Sequence, residues 1–378
     1  MGATAVLLFS GFYFTLPVLP LYLHENFGTD KTGIGLLMGA FTLATLLSRP
    51  LIGHLLDRGH KRALYLATLF LFAAFSLPYA FAPGLASVLA LRILQGLAWG
   101  GTTTCGASLV VDFIPPARRG EGLGIYGLSM TFAMAIGPLA ALSLLGQGHF
   151  TRVFVAAAVA GFLALGVLLL VRFPKEAPRE HAKPFGLGSF IEPRVAPLSL
   201  SLFFLTFTYG GLLAFVPLYA SERRIAHAGV FFLVFAAGLA AARLFSGRFY
   251  DRRGPVGLGI FSMLTLAGGF ALLSLWKGAA AFYLTAAIIG LGQGLVNPLF
   301  QAMINDLVPR DRRGAANSTF FTAFDGGIGA GMLATGALAD AVGLSGAFLV
   351  SAACCLVALA LFAAVSLPHF ERHRLPRL

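Results

Sequence analysis

The chain has 378 residues, of which 58% are hydrophobic and 11% charged, with a mean hydropathy of +0.84 and a formal net charge of +12. So few charges cannot coat a water-soluble globule of this size, so a bilayer is the expected main solvent. The excess of cations would suit nucleic acid or anionic lipid, and their placement decides between the two.

A spanning helix takes about 20 mostly apolar residues. Twelve such runs follow one another, at roughly 3–23, 33–56, 63–81, 86–111, 122–146, 151–172, 195–219, 227–247, 255–276, 279–304, 315–337 and 344–367. They are uniformly apolar, whereas the strands of a membrane barrel alternate apolar and polar over about ten residues. The predicted fold is therefore all-α and integral to the membrane, with twelve transmembrane helices. The first run has no basic leader and no A-x-A-like cleavage site, and it carries Pro17 and Pro20, so it is expected to stay as helix 1. Residues 173–194, with Pro174, Pro178, Pro184 and Pro193 and mixed charge, read as a linker between a half at 1–172 and a half at 195–367; 368–378 is a tail.

The cations gather in alternate links: Arg58, Lys61 and Arg62; Arg118 and Arg119; Arg172 to Arg194; Arg248 to Arg253; Arg310 to Arg313; and the tail. The positive-inside rule then makes both termini cytoplasmic in a multi-pass protein of the plasma (bacterial inner) membrane. The basic balance belongs to membrane lipid headgroups, and no nucleic acid partner is expected. Cys105, Cys354 and Cys355 lie within apolar runs without metal-ligand spacing, so neither metal nor cofactor is expected. There is no G-x-x-x-x-G-K-[ST] and no nucleophile arrangement, which argues against ATP as driver and against an enzyme.

Two halves repeat. Arg49, Gly53, Asp57 and Arg58 align with Arg243, Gly247, Asp251 and Arg252 at one constant offset, and Asp112, Pro115, Arg118, Arg119 and Gly120 align with Asp306, Pro309, Arg312, Arg313 and Gly314 at the same offset. Helix 1 ends in Leu-Pro20-Leu-Tyr22 and helix 7 in Val-Pro217-Leu-Tyr219, with Glu25 and Glu222 after them. Six helices per half make the repeats parallel, related by an axis along the membrane normal.

The stretch Gly53-His-Leu-Leu-Asp57-Arg58-Gly-His60-Lys61-Arg62 is similar to G-x-L-x-D-R-x-G-R-R, the signature of the major facilitator superfamily, and the resemblance covers essentially the whole chain. Within that family it most resembles the twelve-helix drug/proton antiporter group. His60 replaces the second glycine, and the second copy, Gly247 to Gly254, lacks the basic pair. The resemblance implies a cytoplasmic latch of Gly53, Asp57, Arg58, Arg62, Asp112, Gly247, Asp251 and Arg252, in which glycine lets helices approach and aspartate accepts from a helix N-terminus.

Further motifs carry the likeness. Arg92-Ile-Leu-Gln95-Gly96 matches R-x-x-Q-G, and Gly11 to Pro20 matches G-x-x-x-x-x-P-V-x-P, with Pro17 and Pro20 in place. Ala133 to Ala141, with Gly137 and Pro138, is a reduced antiporter motif, and Gly327-x-x-x-Gly331 resembles the helix 11 motif of exporters; both suit helices that bend and slide. A buried arginine costs about 2.5–3.5 kcal/mol to insert, so Arg92 is expected to face protein or water, in proton relay or substrate contact, unless it snorkels to the headgroups.

Asp325 is the one acid deep in any run, about 15 Å from the cytoplasmic start of helix 11. It is read as the proton-coupling acid, the alternative being a hinge or a pairing group. The family places helices 1, 4, 7 and 10 around the substrate path. They offer Tyr13, Phe14, Gln95, Trp99, Thr103, Thr206 and Tyr209, and the stripe Gln293, Asn297 and Gln301. Such an aromatic, amide-rich lining suits lipophilic or moderately polar organic molecules. The expected function is secondary active transport by a monomer, proton-coupled efflux of small drug-like or metabolite compounds. A symporter or facilitator for a sugar or organic anion, and a lipid or lysolipid translocator, stay open as alternatives.

Overall fold

The structure is a computed structural model that describes residues 1–57, 61–114, 118–146, 148–173, 191–309 and 312–375. Its helices are α1 (Gly2–Phe27), α2 (Lys31–Asp57), α3 (Lys61–Ala74), α4 (Leu85–Phe113), α5 (Arg119–Leu145), α6 (Phe150–Leu170), α7 (Ala196–Glu222), α8 (Gly229–Arg253), α9 (Pro255–Leu275), α10 (Ala279–Leu307), α11 (Arg313–Leu361) and α12 (Leu367–His373). A 3-10 turn, Leu77–Phe81, follows α3, and there is no strand among the described residues.

Ten helical stretches are long and apolar enough to cross a membrane. Two features reconcile that number with twelve apolar runs. The stretch Arg313–His373 counts once, although Gly343, at φ 74° and ψ 164°, breaks α11 in two. That backbone conformation is one that glycine adopts without steric cost. α4 is not among the ten, because Arg92 and the Gly100-Gly-Thr-Thr-Thr104 segment dilute its apolar character.

The chain forms two compact units, Met1–Thr29 with Ala40–Phe185, and Asp30–Gly39 with Gly186–Leu378. The first turns of α2 thus belong to the second unit and the rest of α2 to the first. In the first unit α1 packs on α5 and α6, and α3 on α4. In the second, α7 packs on α11, α8 on α10, and α9 on both α10 and α11.

The repeat extends to individual contacts. In the first unit the Tyr22 hydroxyl donates to the Tyr79 carbonyl at 2.8 Å, and Phe154 meets the Tyr22 ring edge-on at 5.1 Å. In the second the Tyr219 hydroxyl donates to the Leu273 carbonyl at 2.7 Å, and Phe348 meets the Tyr219 ring edge-on at 5.3 Å. A methyl group at Gly96 would fall on the Phe41 carbonyl, and one at Gly290 on the Phe235 carbonyl. Small residues at these crossings let backbones touch where lipid supplies no hydrophobic drive for helix association.

Candidate functional site

In the first unit, Arg92 and Gln95 project from α4 into a closed polar network. Arg92 is only 2% exposed, so it does not snorkel; its guanidinium lies 4.2 Å from the centre of the Phe41 ring and donates to the Tyr79 hydroxyl. Tyr79 in turn donates to Gln95 Oε1 at 3.0 Å, and Gln95 Nε2 donates to Ser76 Oγ at 3.0 Å. Both polar side chains of the R-x-x-Q-G motif are thus engaged in fastening α4 to the segment after α3.

Trp99 is buried among aromatic rings, stacked on Phe12 at 4.4 Å and close to Phe9 and Phe72 at 5.2 and 5.0 Å. Sequence reasoning assigned Gln95 and Trp99 to a cavity lining; here they pack inside the first unit, because Tyr79 and the α1 aromatics fill the space around α4. Thr103 is half-buried and donates to the Trp99 carbonyl at 2.9 Å. Tyr13 and Phe14 are half-buried on α1, and the Tyr13 Cβ fills the gap left by Gly137 on α5, one residue before Pro138. Pro17 and Pro20 are buried within α1.

In the second unit, Thr206 is fully buried, donates to the Leu202 carbonyl at 3.0 Å and closes on Gly327. A methyl group at Gly331 would strike the Phe207 carbonyl, so Gly327 and Gly331 seat α11 against α7. Tyr209 is buried and stacked on Phe235 at 5.9 Å, within electrostatic reach of Arg243. On α10, Gln293 is buried while Asn297 and Gln301 are half-buried. Asn297 Oδ1 is buried without a hydrogen-bond partner.

Asp325 is 6% exposed, on the face of α11 turned away from Gly327 and Gly331. It begins a stripe, Asp325, Gly329, Met332, Gly336 and Asp340, spaced i, i+4, i+7, i+11 and i+15, which falls on one side of a helix. The upper part of that stripe packs on α2: Gly39 meets the Gly329 carbonyl, Gly35 the Met332 carbonyl, and Gly336 the Lys31 carbonyl.

At the opposite ends of the helices, Lys61 pairs with Asp112 at 2.6 Å, and the Arg62 guanidinium sits 5.2 Å from the centre of the Phe173 ring. The corresponding acid of the second unit, Asp306, accepts from the Tyr250 hydroxyl at 3.0 Å. Arg252 is exposed. Arg58 and the side chains of Asp57 and Asp251 lie outside the described residues. A methyl group at Gly53 or Gly247 would meet nothing within 4 Å, so the close helix approach expected there is not seen.

Three features escaped the sequence reading. Tyr79 links Arg92 to Gln95, and the only signal for it was a tyrosine near the end of an apolar run. Glu192, its side chain 6% exposed, accepts from Arg312 Nε at 2.8 Å, while its backbone N–H donates to Thr319 Oγ1 at 2.9 Å. Asp340, in a link too short to draw notice, binds the start of α2.

A family model described as Major Facilitator Superfamily matches residues 1–300 and 225–377. The staphylopine export protein of Staphylococcus aureus is 26% identical over 348 residues, covering 88% of this chain and 86% of that protein. An uncharacterised MFS-type transporter of Methanocaldococcus jannaschii is 24% identical over 352 residues, covering 90% of this chain and 91% of that protein. Among solved structures, a bacterial homologue of the human lysosomal transporter Spinster superposes with a TM-score of 0.83 at 17% identity, covering 100% of this chain and 97% of that one. The nucleoside transporter NupG, as its D323A mutant, gives 0.80 at 16% identity, covering 96% of this chain and 98% of that one.

Proposed function

Because the chain belongs to the Major Facilitator Superfamily and is a multi-pass membrane transporter of small molecules, we propose that it exports small organic compounds, drug-like or metabolite, in exchange for protons. The two six-helix halves alternate access to a midplane site, with both termini cytoplasmic in the bacterial inner membrane and the monomer as the working unit. Asp325 carries this reading. It is buried on α11, far from either end of the predicted eleventh run, on a face not consumed by the α7 contact. An acid kept at that depth in a membrane helix serves an ion or proton pathway by default.

The direction is supported by the relative named as an export protein. Substrate contact falls to the half-buried Tyr13, Phe14, Thr103, Asn297 and Gln301. Asn297 Oδ1 is an unsatisfied acceptor, and leaving such a group unbonded costs about 1–3 kcal/mol, which a donor on the substrate would recover. Arg92 has a structural duty in the Tyr79 network and acts on transport through α4. At the cytoplasmic latch the first copy is read as the stronger, since it carries the basic pair Lys61 and Arg62, with Lys61 bonded to Asp112, and the second copy lacks such a pair. Asp57→Asn therefore slows cycling more than Asp251→Asn.

The test is flux in proteoliposomes with and without an imposed pH gradient, using a panel of labelled organic compounds. Gradient-driven flux by the native protein, lost in Asp325→Asn, is the expected result. A variant that remains fully driven by the gradient would remove Asp325 from the coupling role.

A further inference from the structure

The short helix α12 is fastened within the second unit at both ends and along its length. Just before it, Ser366 Oγ donates to the Pro197 carbonyl at 2.8 Å. Phe370, in its middle, is buried, and just after it the Leu375 N–H donates to the Asp306 carbonyl at 2.8 Å. The other side chains of α12 are therefore presented from a fixed frame.

His369 and His373 stand four residues apart on this helix and so share a face. Their ring centres are 4.4 Å apart, with the planes 29° from parallel. Each ring has one nitrogen against a backbone carbonyl oxygen: His369 Nε2 is 2.8 Å from that of Arg194, and His373 Nδ1 is 2.9 Å from that of His369. A carbonyl oxygen can only accept, so both of these nitrogens donate, and the tautomers are thereby set. In the neutral rings the lone pairs are left on His369 Nδ1 and His373 Nε2.

Imidazole nitrogen suits Ni2+, Cu2+ and Zn2+. A histidine that binds a metal nearly always donates its other ring N–H to a carbonyl, a carboxylate or water, which orients the ring and raises its basicity. Both rings of this pair make that outer bond. Metal–nitrogen bonds of about 2.0–2.1 Å at a right angle put two ring centres about 4.5 Å apart, close to the spacing found here. We propose that His369 and His373 form a binding site for a divalent transition-metal ion, ligated through His369 Nδ1 and His373 Nε2. Among the described residues no third histidine, cysteine or acid joins them, so water completes the shell and the ion is exchangeable. Through the His369 bond to Arg194, an ion held there stiffens the join between α12 and the residues before α7.

The test uses the full-length protein, purified without a polyhistidine tag, stripped with a chelator and titrated calorimetrically with Ni2+. The native protein is expected to bind one ion per chain at a saturable site, and His369→Ala and His373→Ala should each weaken that binding about tenfold or more. His373 is exposed, so its variant keeps the fold even where the loss of the His369 bond loosens α12. His227→Asn, at an exposed histidine outside the pair, should leave the affinity unchanged. Pulsed electron paramagnetic resonance of the Cu2+-loaded protein should show two imidazole nitrogens in the native chain and one in each alanine variant. No saturable Ni2+ binding below about 1 mM would overturn the proposal. Binding that survives either alanine substitution, or a single imidazole nitrogen on Cu2+ in the native protein, would overturn it as well.

Discussion

Tyr22 and Tyr219 make the same hydrogen bond in the two halves of the molecule, to the Tyr79 carbonyl at 2.8 Å and to the Leu273 carbonyl at 2.7 Å. Both are buried, and each is met edge-on by a phenylalanine from the sixth helix of its half, Phe154 or Phe348. The bond fixes the end of α1 to the 3-10 turn after α3, and the end of α7 to the last turn of α9.

Equal bonds should carry equal weight. Tyr22→Phe and Tyr219→Phe remove one hydroxyl each and leave one buried carbonyl short of a donor, a loss of about 1 kcal/mol. Thermal unfolding of the two variants in detergent should therefore be lowered by similar amounts. A clear inequality would show that the repeat has kept the geometry while redistributing the load.

The all-helical membrane fold and the duplication were legible in the residues, because bilayer thickness fixes run length and because charged motifs recur at a constant offset. The α2–α11 contact was not. Asp340 and Lys31 lie in different links with nothing in composition to join them, and the decisive donors at α2 are backbone N–H groups, which carry no sequence signature. For the substrate lining, the family resemblance put Gln95, Trp99, Thr206 and Tyr209 on helices around the substrate path. Whether an inward residue meets a cavity or a neighbour depends on what opposes it: Tyr79, Phe12, Gly327 and Phe235 took those places.

The glycines separate into two groups that substitution should distinguish. Gly331→Val drives a branched side chain into the Phe207 carbonyl, and relief requires α7 and α11 to separate along their length. Overpacking of this kind costs about 1–3 kcal/mol or more. Gly53→Ala meets no neighbour within 4 Å and gains helix propensity worth about 1 kcal/mol. Expression and thermal stability should fall for the first and hold or rise for the second. A stable Gly53→Ala protein with slowed transport would assign that glycine to a close contact formed elsewhere in the cycle.

The Asp340 cap predicts a pH profile. Desolvation works to raise the Asp340 carboxyl, but the Thr32 hydroxyl, the Thr32 and Lys31 N–H groups and the Lys31 charge outweigh it and hold the group below its ordinary value of 3.8. A depressed carboxylate stabilises the contact above its free value, and that stabilisation disappears as pH falls through the depressed one. The charged groups around it are Lys31 with its partner Glu222, Asp30 beside the first turn, and Arg223, which turns to Ser345 Oγ at 2.6 Å. The bonds from Asp340 to Lys31 and Thr32, followed as the distance between spin labels at Leu36→Cys and Val342→Cys, should therefore hold from neutral pH down to about 4 and loosen only below it. Release between pH 7 and 5 would mean that another group governs the contact.

The bond between Glu192 and Arg312 fastens the residues before α7 to the start of α11, and its two ends are unequally exposed, 6% for the carboxylate side chain and 45% for the guanidinium. Removing the exposed partner is the more harmful change, because it leaves a buried negative charge without compensation. Arg312→Ala should cost about 1–2 kcal/mol, less than a fully buried pair because water reaches the arginine side. Glu192→Gln keeps an oxygen acceptor for Arg312 and carries no buried charge, so it should cost less. Limited proteolysis of the chain before α7, together with thermal unfolding, orders the two variants. If Glu192→Gln were cut faster than Arg312→Ala, the carboxylate would be holding the segment through bonds other than the one to Arg312.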